Sequence, residues 1–110
     1  MTRVVEIRSY RLKSGTRDEY ARLFRDEALP LLEAAGVDVV RAGPSLDDPN
    51  GYHLIRSFAD LADRERREAA FYGSAAWRQG PREAVLACID TYVDAVIELD
   101  DAAVDALRPG

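Results

Sequence analysis

Cysteine, histidine, methionine and tryptophan occur once each in this chain of 110 residues, and Lys13 is the single lysine. Each scarcity excludes something. Cys88 alone allows no intrachain disulfide and no cysteine-based metal cluster, and it reads as a small buried hydrophobe. One histidine, His53, cannot build a histidine-rich metal site, and no acidic quartet has metal spacing, so neither a metal nor a cofactor is expected. A Gly-rich phosphate loop, a nucleotide fingerprint and a Ser-His-Asp arrangement are all missing. No apolar run approaches the roughly 20 residues of a membrane span. The first residues run straight into a strand pattern with no apolar leader, which makes the cytoplasm the expected location. Positive charge is not in excess either: the net charge is −5 with both signs interleaved, which argues against nucleic acid as a partner.

What is present is ordinary for a globular protein. With 47% hydrophobic and 32% charged residues, 1–110 is expected to be one domain with its own core. Residues 4–11 (VVEIRSYR) alternate, with Val5, Ile7 and Ser9 on one face and Glu6, Arg8 and Tyr10 on the other, so they predict a strand. After the Ser14-Gly15 turn, Thr16 and Glu19 form a capping box. The helix behind it carries Tyr20, Leu23, Phe24, Ala28, Leu31 and Leu32 on one stripe, with a kink expected at Pro30 and a stop at Gly36. Residues 37–42 and 52–58 read as a hairpin. Asp60 caps a charged helix over LADRERREAAFYG, which Gly73 interrupts and whose Arg64–Arg67 run reads as a solvated face. A turn around Trp77, a helix over 81–89, a strand near 91–99 and a short capped helix after Asp100 complete the chain.

The order β-α-β-β-α-β predicts an α+β, ferredoxin-like fold: an antiparallel sheet of order 4-1-3-2 with its helices on one face. The other face would carry Glu6, Arg8, Tyr10, Leu54, Arg56, Phe58 and Tyr92. That set is too apolar for water and too charged for a dry core. The expectation is a homodimer in which a second copy covers this face and leaves a polar-lined cavity.

At this point two stretches resemble a known family. VVEIRSYRLKSGTRDEY is similar to the opening of NIPSNAP domains, an E-aliphatic-R-x-Y strand followed by a turn and the first helix. The run from Tyr52 through LADRERR to FYGSAAWRQ resembles the family's third strand, charged helix and Trp-containing turn. The resemblance implies a dimeric α/β barrel but no particular reaction. The family's third strand often carries His, Trp and Tyr where Leu54, Arg56 and Phe58 stand here, so a role tied to those residues does not transfer.

The candidate site residues are therefore Arg8, Tyr10, Arg56, Phe58, Trp77 and Tyr92. Arg8 and Arg56 would anchor an anion by charge-assisted hydrogen bonds, or simply hold an ion-paired network. Tyr10 and Tyr92 would form cavity wall or position a ligand hydroxyl, and Trp77 would close the mouth or anchor the second helix. His53 falls on the opposite face from Arg56, away from the presumed site. Three functions stay open: binding of a small, partly apolar anion; cofactor-independent catalysis, monooxygenase- or isomerase-like, on an aromatic or enolisable substrate; and a structural or partner-binding dimer.

Overall fold

The alternating first segment forms β1 (Thr2–Leu12), and its side chains separate cleanly between two layers. In this computed structural model, which describes residues 1–110, β1 lies at the centre of a four-stranded sheet of order β2-β3-β1-β4. Strands β2 (Asp38–Pro44) and β3 (Gly51–Phe58) form the hairpin, and β4 (Ile89–Asp100) returns along the other side of β1. All pairings are antiparallel. The strand order and the α+β class are those the sequence predicts.

The first helical run is continuous but not uniform. Helix α1 (Arg17–Leu23) passes into a π-turn (Phe24–Ala28) and then into α2 (Leu29–Ala34). Pro30 accounts for this. It has no N–H to give, and its ring would crowd the carbonyl of Asp26 in a normal α-turn. Widening the preceding turn relieves the clash, so the expected kink takes the form of a π-turn. Gly36, at φ +77°, then ends the run in the left-handed conformation. Thr16 is not the cap expected of it. Its hydroxyl donates instead to the carbonyls of Lys13 (2.7 Å) and Cys88 (3.2 Å), tying the turn to the residue just before β4.

Helix α3 (Leu61–Tyr72) begins at Asp60, whose carboxylate accepts from the Asp63 N–H at 2.7 Å. The four-residue α4 (Ala75–Arg78) and α5 (Arg82–Cys88) follow, and α6 (Asp101–Leu107) closes the chain behind its own cap, Asp100. No helix is long and apolar enough to cross a membrane.

The layers correct one expectation. Helices α1 to α5 cover the face that carries Glu6, Arg8, Tyr10, Leu54, Arg56 and Phe58, not the face of Val5 and Ile7. Glu6 and Arg56 are 0% exposed within a single protomer, so no second copy is needed to cover them. The physical reason lies in α3: its Arg64 and Glu68 supply the opposite charges that let a charged strand face be buried. Arg64 is thus part of the interior and not of a solvated helix face. Helix α6 takes the other side of the sheet, where Val104 packs with Val5, Val40 and Ile55. Burial of Val5 and Val104, both fully enclosed, contributes about 1.5–3 kcal/mol each.

Candidate functional site

Between the sheet and the helices the core divides into an aromatic half and a charged half, and the site is where they meet. The aromatic half surrounds a cavity. Tyr10 and Leu54 form its floor on the sheet. Tyr20, Phe24, Ala28 and Leu32 wall it from the first helical run, the middle two from the π-turn. Phe71, Tyr72, Trp77 and Val85 complete it from α3, α4 and α5. All ten lining residues are hydrophobic in type, and the space is tight: about 20 Å³, room for about one water. Trp77 is held by Phe71 (ring centres 5.2 Å apart) and by Tyr72 (5.6 Å, edge-on).

The charged half stands beside it. Arg56, on β3, donates to Glu6 on β1 through two of its nitrogens and to Glu68 on α3 at 2.9 Å. Arg64 bonds the second oxygen of Glu6 at 2.9 Å. Arg8 forms a two-pronged pair with Asp94 directly across on β4, at 2.7 and 3.1 Å. Three guanidiniums thus face three carboxylates, and Arg64 closes the ring by lying 3.7 Å from Asp94.

Tyr72 joins the two halves. Its ring lines the cavity, and its hydroxyl oxygen accepts from Arg56 at 2.9 Å and from Arg8 at 3.3 Å. Tyr10 lies near the same end, its ring centre 5.9 Å from the Arg8 guanidinium and 5.4 Å from the ring of Tyr20. Burial, above all, pushes the phenols of Tyr10 and Tyr20 upward, so both stay neutral donors.

The two glutamates are driven apart. For Glu6, burial opposes ionisation, but the hydrogen bond with Glu68 and the charge and bonds of Arg56 outweigh it and bring the carboxyl down to about 2. For Glu68, burial and the hydrogen bond with Glu6 push the carboxyl up to about 7. A carboxyl raised toward neutrality and joined to a cavity through Arg56 and Tyr72 marks a candidate functional site. No three His, Cys, Asp or Glu side chains gather as metal ligands would.

Of the residues singled out by sequence, Tyr10 and Trp77 line the cavity. Arg8 and Arg56 reach it through Tyr72 but are already paired with protein carboxylates, an arrangement foreseen only as the alternative to ligand contact. Tyr92 lies on β4 with its ring 4.3 Å from the Arg8 guanidinium, and half of it is exposed. Phe58 is fully buried in the core and lies outside the cavity lining. His53 sits on the opposite face as expected, opposite Ser9, and burial together with the charge of Arg41 holds its imidazole below the ordinary value. Tyr72, Glu68, Arg64 and Asp94 were not singled out. A signal for three of them was present: Arg64, Glu68 and Tyr72 are spaced by four on one stripe of α3.

The NIPSNAP family model matches residues 5–97, which include both halves of the site. The chain belongs to the NIPSNAP family. Among solved structures, a NIPSNAP family protein of unknown function from Agrobacterium tumefaciens (Atu4242) superposes with a TM-score of 0.81 at 24% identity, covering 89% of this chain and 88% of that one. An uncharacterised NIPSNAP-like domain protein from Burkholderia xenovorans gives 0.79 at 21%, covering 86% and 83%. The same fold extends to a Nitrosomonas europaea protein provisionally named an antibiotic biosynthesis monooxygenase, with a TM-score of 0.67 at 16% identity over 86% and 88%. None of the curated proteins matches the chain. NIPSNAP membership thus comes with the fold and with no established chemistry.

Proposed function

We propose that this NIPSNAP domain is a cytoplasmic homodimer in which each protomer binds a small, largely apolar, anionic molecule in the cavity between its own sheet and helices. The observation that carries this reading is Tyr72. An apolar, aromatic-lined cavity with a few convergent polar groups at one end is the usual form of a small-molecule site. Here the convergent group is a hydroxyl whose oxygen already accepts from two guanidiniums, which leaves its proton free to donate to a ligand oxygen. The apolar body of the ligand would lie against Phe24, Phe71 and Trp77.

An organic occupant requires the walls to separate, and α4 is the wall whose displacement enlarges the cavity. It is one short turn carrying Trp77, bounded by Gly73 and Gly80. Gly80 has no room for a side chain, since a Cβ there would collide with the Ala76 carbonyl. The second copy would pack on the other sheet face. There Val93 and Ile97 are 70% and 41% exposed on β4, and with Ile7 and Ala95 they form an uncharged strip that suits self-complementary contact about a two-fold axis.

The test is calorimetric titration of benzoate and phenol probes. The parent should bind at least one of them; Tyr72→Phe should weaken it about tenfold, the order of one lost hydrogen bond to a charged group, and Ala28→Leu, which fills the cavity, should abolish it. Equal binding by all three proteins would retract the site. Turnover or oxygen consumption with a bound phenol would move the assignment to catalysis, the reading that the monooxygenase-like fold raises by analogy alone.

A further inference from the structure

The charged half of the site is complete without a ligand. Arg8, Arg56 and Arg64 are matched by Glu6, Glu68 and Asp94, and no guanidinium is left over. A ligand anion at the Tyr72 hydroxyl would therefore bring a fourth negative charge into a space that holds three of each sign. Burial of an uncompensated charge is costly, so the network must gain a positive charge or lose a negative one. We propose that the anionic ligand enters the cavity together with one proton, and that Glu68 is the carboxylate that takes it. The inference rests on the reading of the cavity as a ligand site.

Geometry selects Glu68 among the three. Asp94 accepts both prongs of Arg8, one on each oxygen. Glu6 is 0% exposed and is held on one oxygen by Arg56 and on the other by Arg64. Glu68 has one hydrogen bond to Arg56, at 2.9 Å, and only a 3.6 Å contact with Arg64. Its oxygen also shares one nitrogen of Arg56 with an oxygen of Glu6, so the two carboxylates stand side by side on a single donor. A proton on Glu68 can bridge to Glu6 and relieve that like-charge contact. It is also the more reachable of the pair, with 16% of its side chain exposed.

The charged groups around Glu68 act in opposed directions. Glu6 on β1 raises its proton affinity; Arg56 on β3 and Arg64 on α3 lower it; burial outweighs them and places the carboxyl near 7. Arg8 and Asp94, facing from β1 and β4, form a closed pair and roughly cancel. An anion at Tyr72 adds one negative charge and raises the proton affinity further. Proton uptake should be greatest just above pH 7, where Glu68 is ionised in the free protein and protonated in the complex. At pH 5.5 it should vanish, because Glu68 already holds its proton.

The experiment uses benzoate, ionised throughout the range, and its neutral analogue benzamide, titrated between pH 5.5 and 8.5 in buffers of different ionisation enthalpy. For the parent, benzoate affinity should be flat below neutrality and fall about tenfold per pH unit above it, the slope of one linked proton. Benzamide should show no slope, and Glu68→Gln should lose the slope for benzoate. Benzoate binding with no slope in the parent, or with the slope retained in Glu68→Gln, overturns the inference and leaves the site standing. Failure of both probes to bind at any pH retracts both. A second readout needs no ligand: the carboxyl carbon of Glu68, followed by NMR, should titrate near 7 in the free protein. A midpoint in the ordinary carboxylate range overturns the inference by itself.

Discussion

Replacing Arg56 with Met removes the hub of the interior network while keeping most of the side-chain volume. Its side chain and that of Glu6 are both 0% exposed, so the variant leaves a carboxylate without its main partner and out of reach of water. Breaking a fully buried pair from one side costs about 3–5 kcal/mol. Two facts place this case at the lower end. Glu6 keeps Arg64 at 2.9 Å and has Arg8 at 3.8 Å, and Glu68 keeps its longer contact with Arg64. The expected loss is therefore about 3 kcal/mol at neutral pH, or a melting temperature lower by about 12 °C at roughly 4 °C per kcal/mol for a domain this size. Urea denaturation should show a lower midpoint with an unchanged slope. The double variant Arg56→Met, Glu6→Leu should recover part of the loss, because the stranded charge is gone. Its cost should be at least about 1 kcal/mol smaller than the sum of the single variants, as for residues in one network. A loss under about 1 kcal/mol for Arg56→Met, or additivity within about 0.5 kcal/mol, would refute the claim that these two residues form a coupled buried pair.

Asp60→Ala should destabilise the fold by about 1 kcal/mol, because it removes the N-cap of α3; an unchanged urea midpoint would show that the cap contributes nothing. Stability should depend on pH in two opposed steps. Glu6, lowered to about 2, contributes stability that is lost as pH falls from its ordinary 4.5 toward 2, and Glu68, raised to about 7, favours the fold below 4.5 and loses that contribution as pH rises through 7. Glu68→Gln should flatten the decline between 4.5 and 7 in a series of urea titrations, and an identical profile would show that Glu68 is not its source. Val93→Asp, placing a charge on the uncharged strip of β4, should convert a dimer to a monomer in sedimentation velocity; a dimer of unchanged mass would move the interface elsewhere.

The order of elements, the strand neighbours and the caps at Asp60 and Asp100 were legible in the sequence, because they rest on local spacing, local hydrogen bonding and the handedness of short connections. Sidedness was not. Alternation in β1 shows that Val5 and Glu6 face opposite ways, but which face receives the helices depends on partners 50 or more residues away. Glu6 is buried because Arg56, Arg64 and Glu68 are there to meet it. The same gap explains Arg64: on an isolated helix an Arg-Glu run is a solvated surface, and only the facing strand turns it inward. Thr16 was misread for a different reason. The capping-box pattern is satisfied, but the hydroxyl has a competing acceptor at Cys88, which the fold brings to it. Tyr72 became visible as a site residue only when the fold placed its ring on the cavity and its oxygen between two arginines.

The position of the ion network on the sheet bears on how the chain finds its pairing. Glu6 lies directly opposite Arg56 between β1 and β3. Hydrophobic patterning alone does not select this alignment, because a slip of two residues keeps every side chain on its own face. One such slip sets Glu6 against Leu54 and Arg56 against Val4. The other sets Glu6 against Phe58 and Arg56 against Arg8, two cations facing each other under the helices. Each misaligned hairpin would have to bury a charge beside an apolar or like-charged neighbour before α3 could dock. The network therefore acts as a key for strand alignment: closely related wrong pairings are left unable to close their core, even where the network's net contribution to stability is modest.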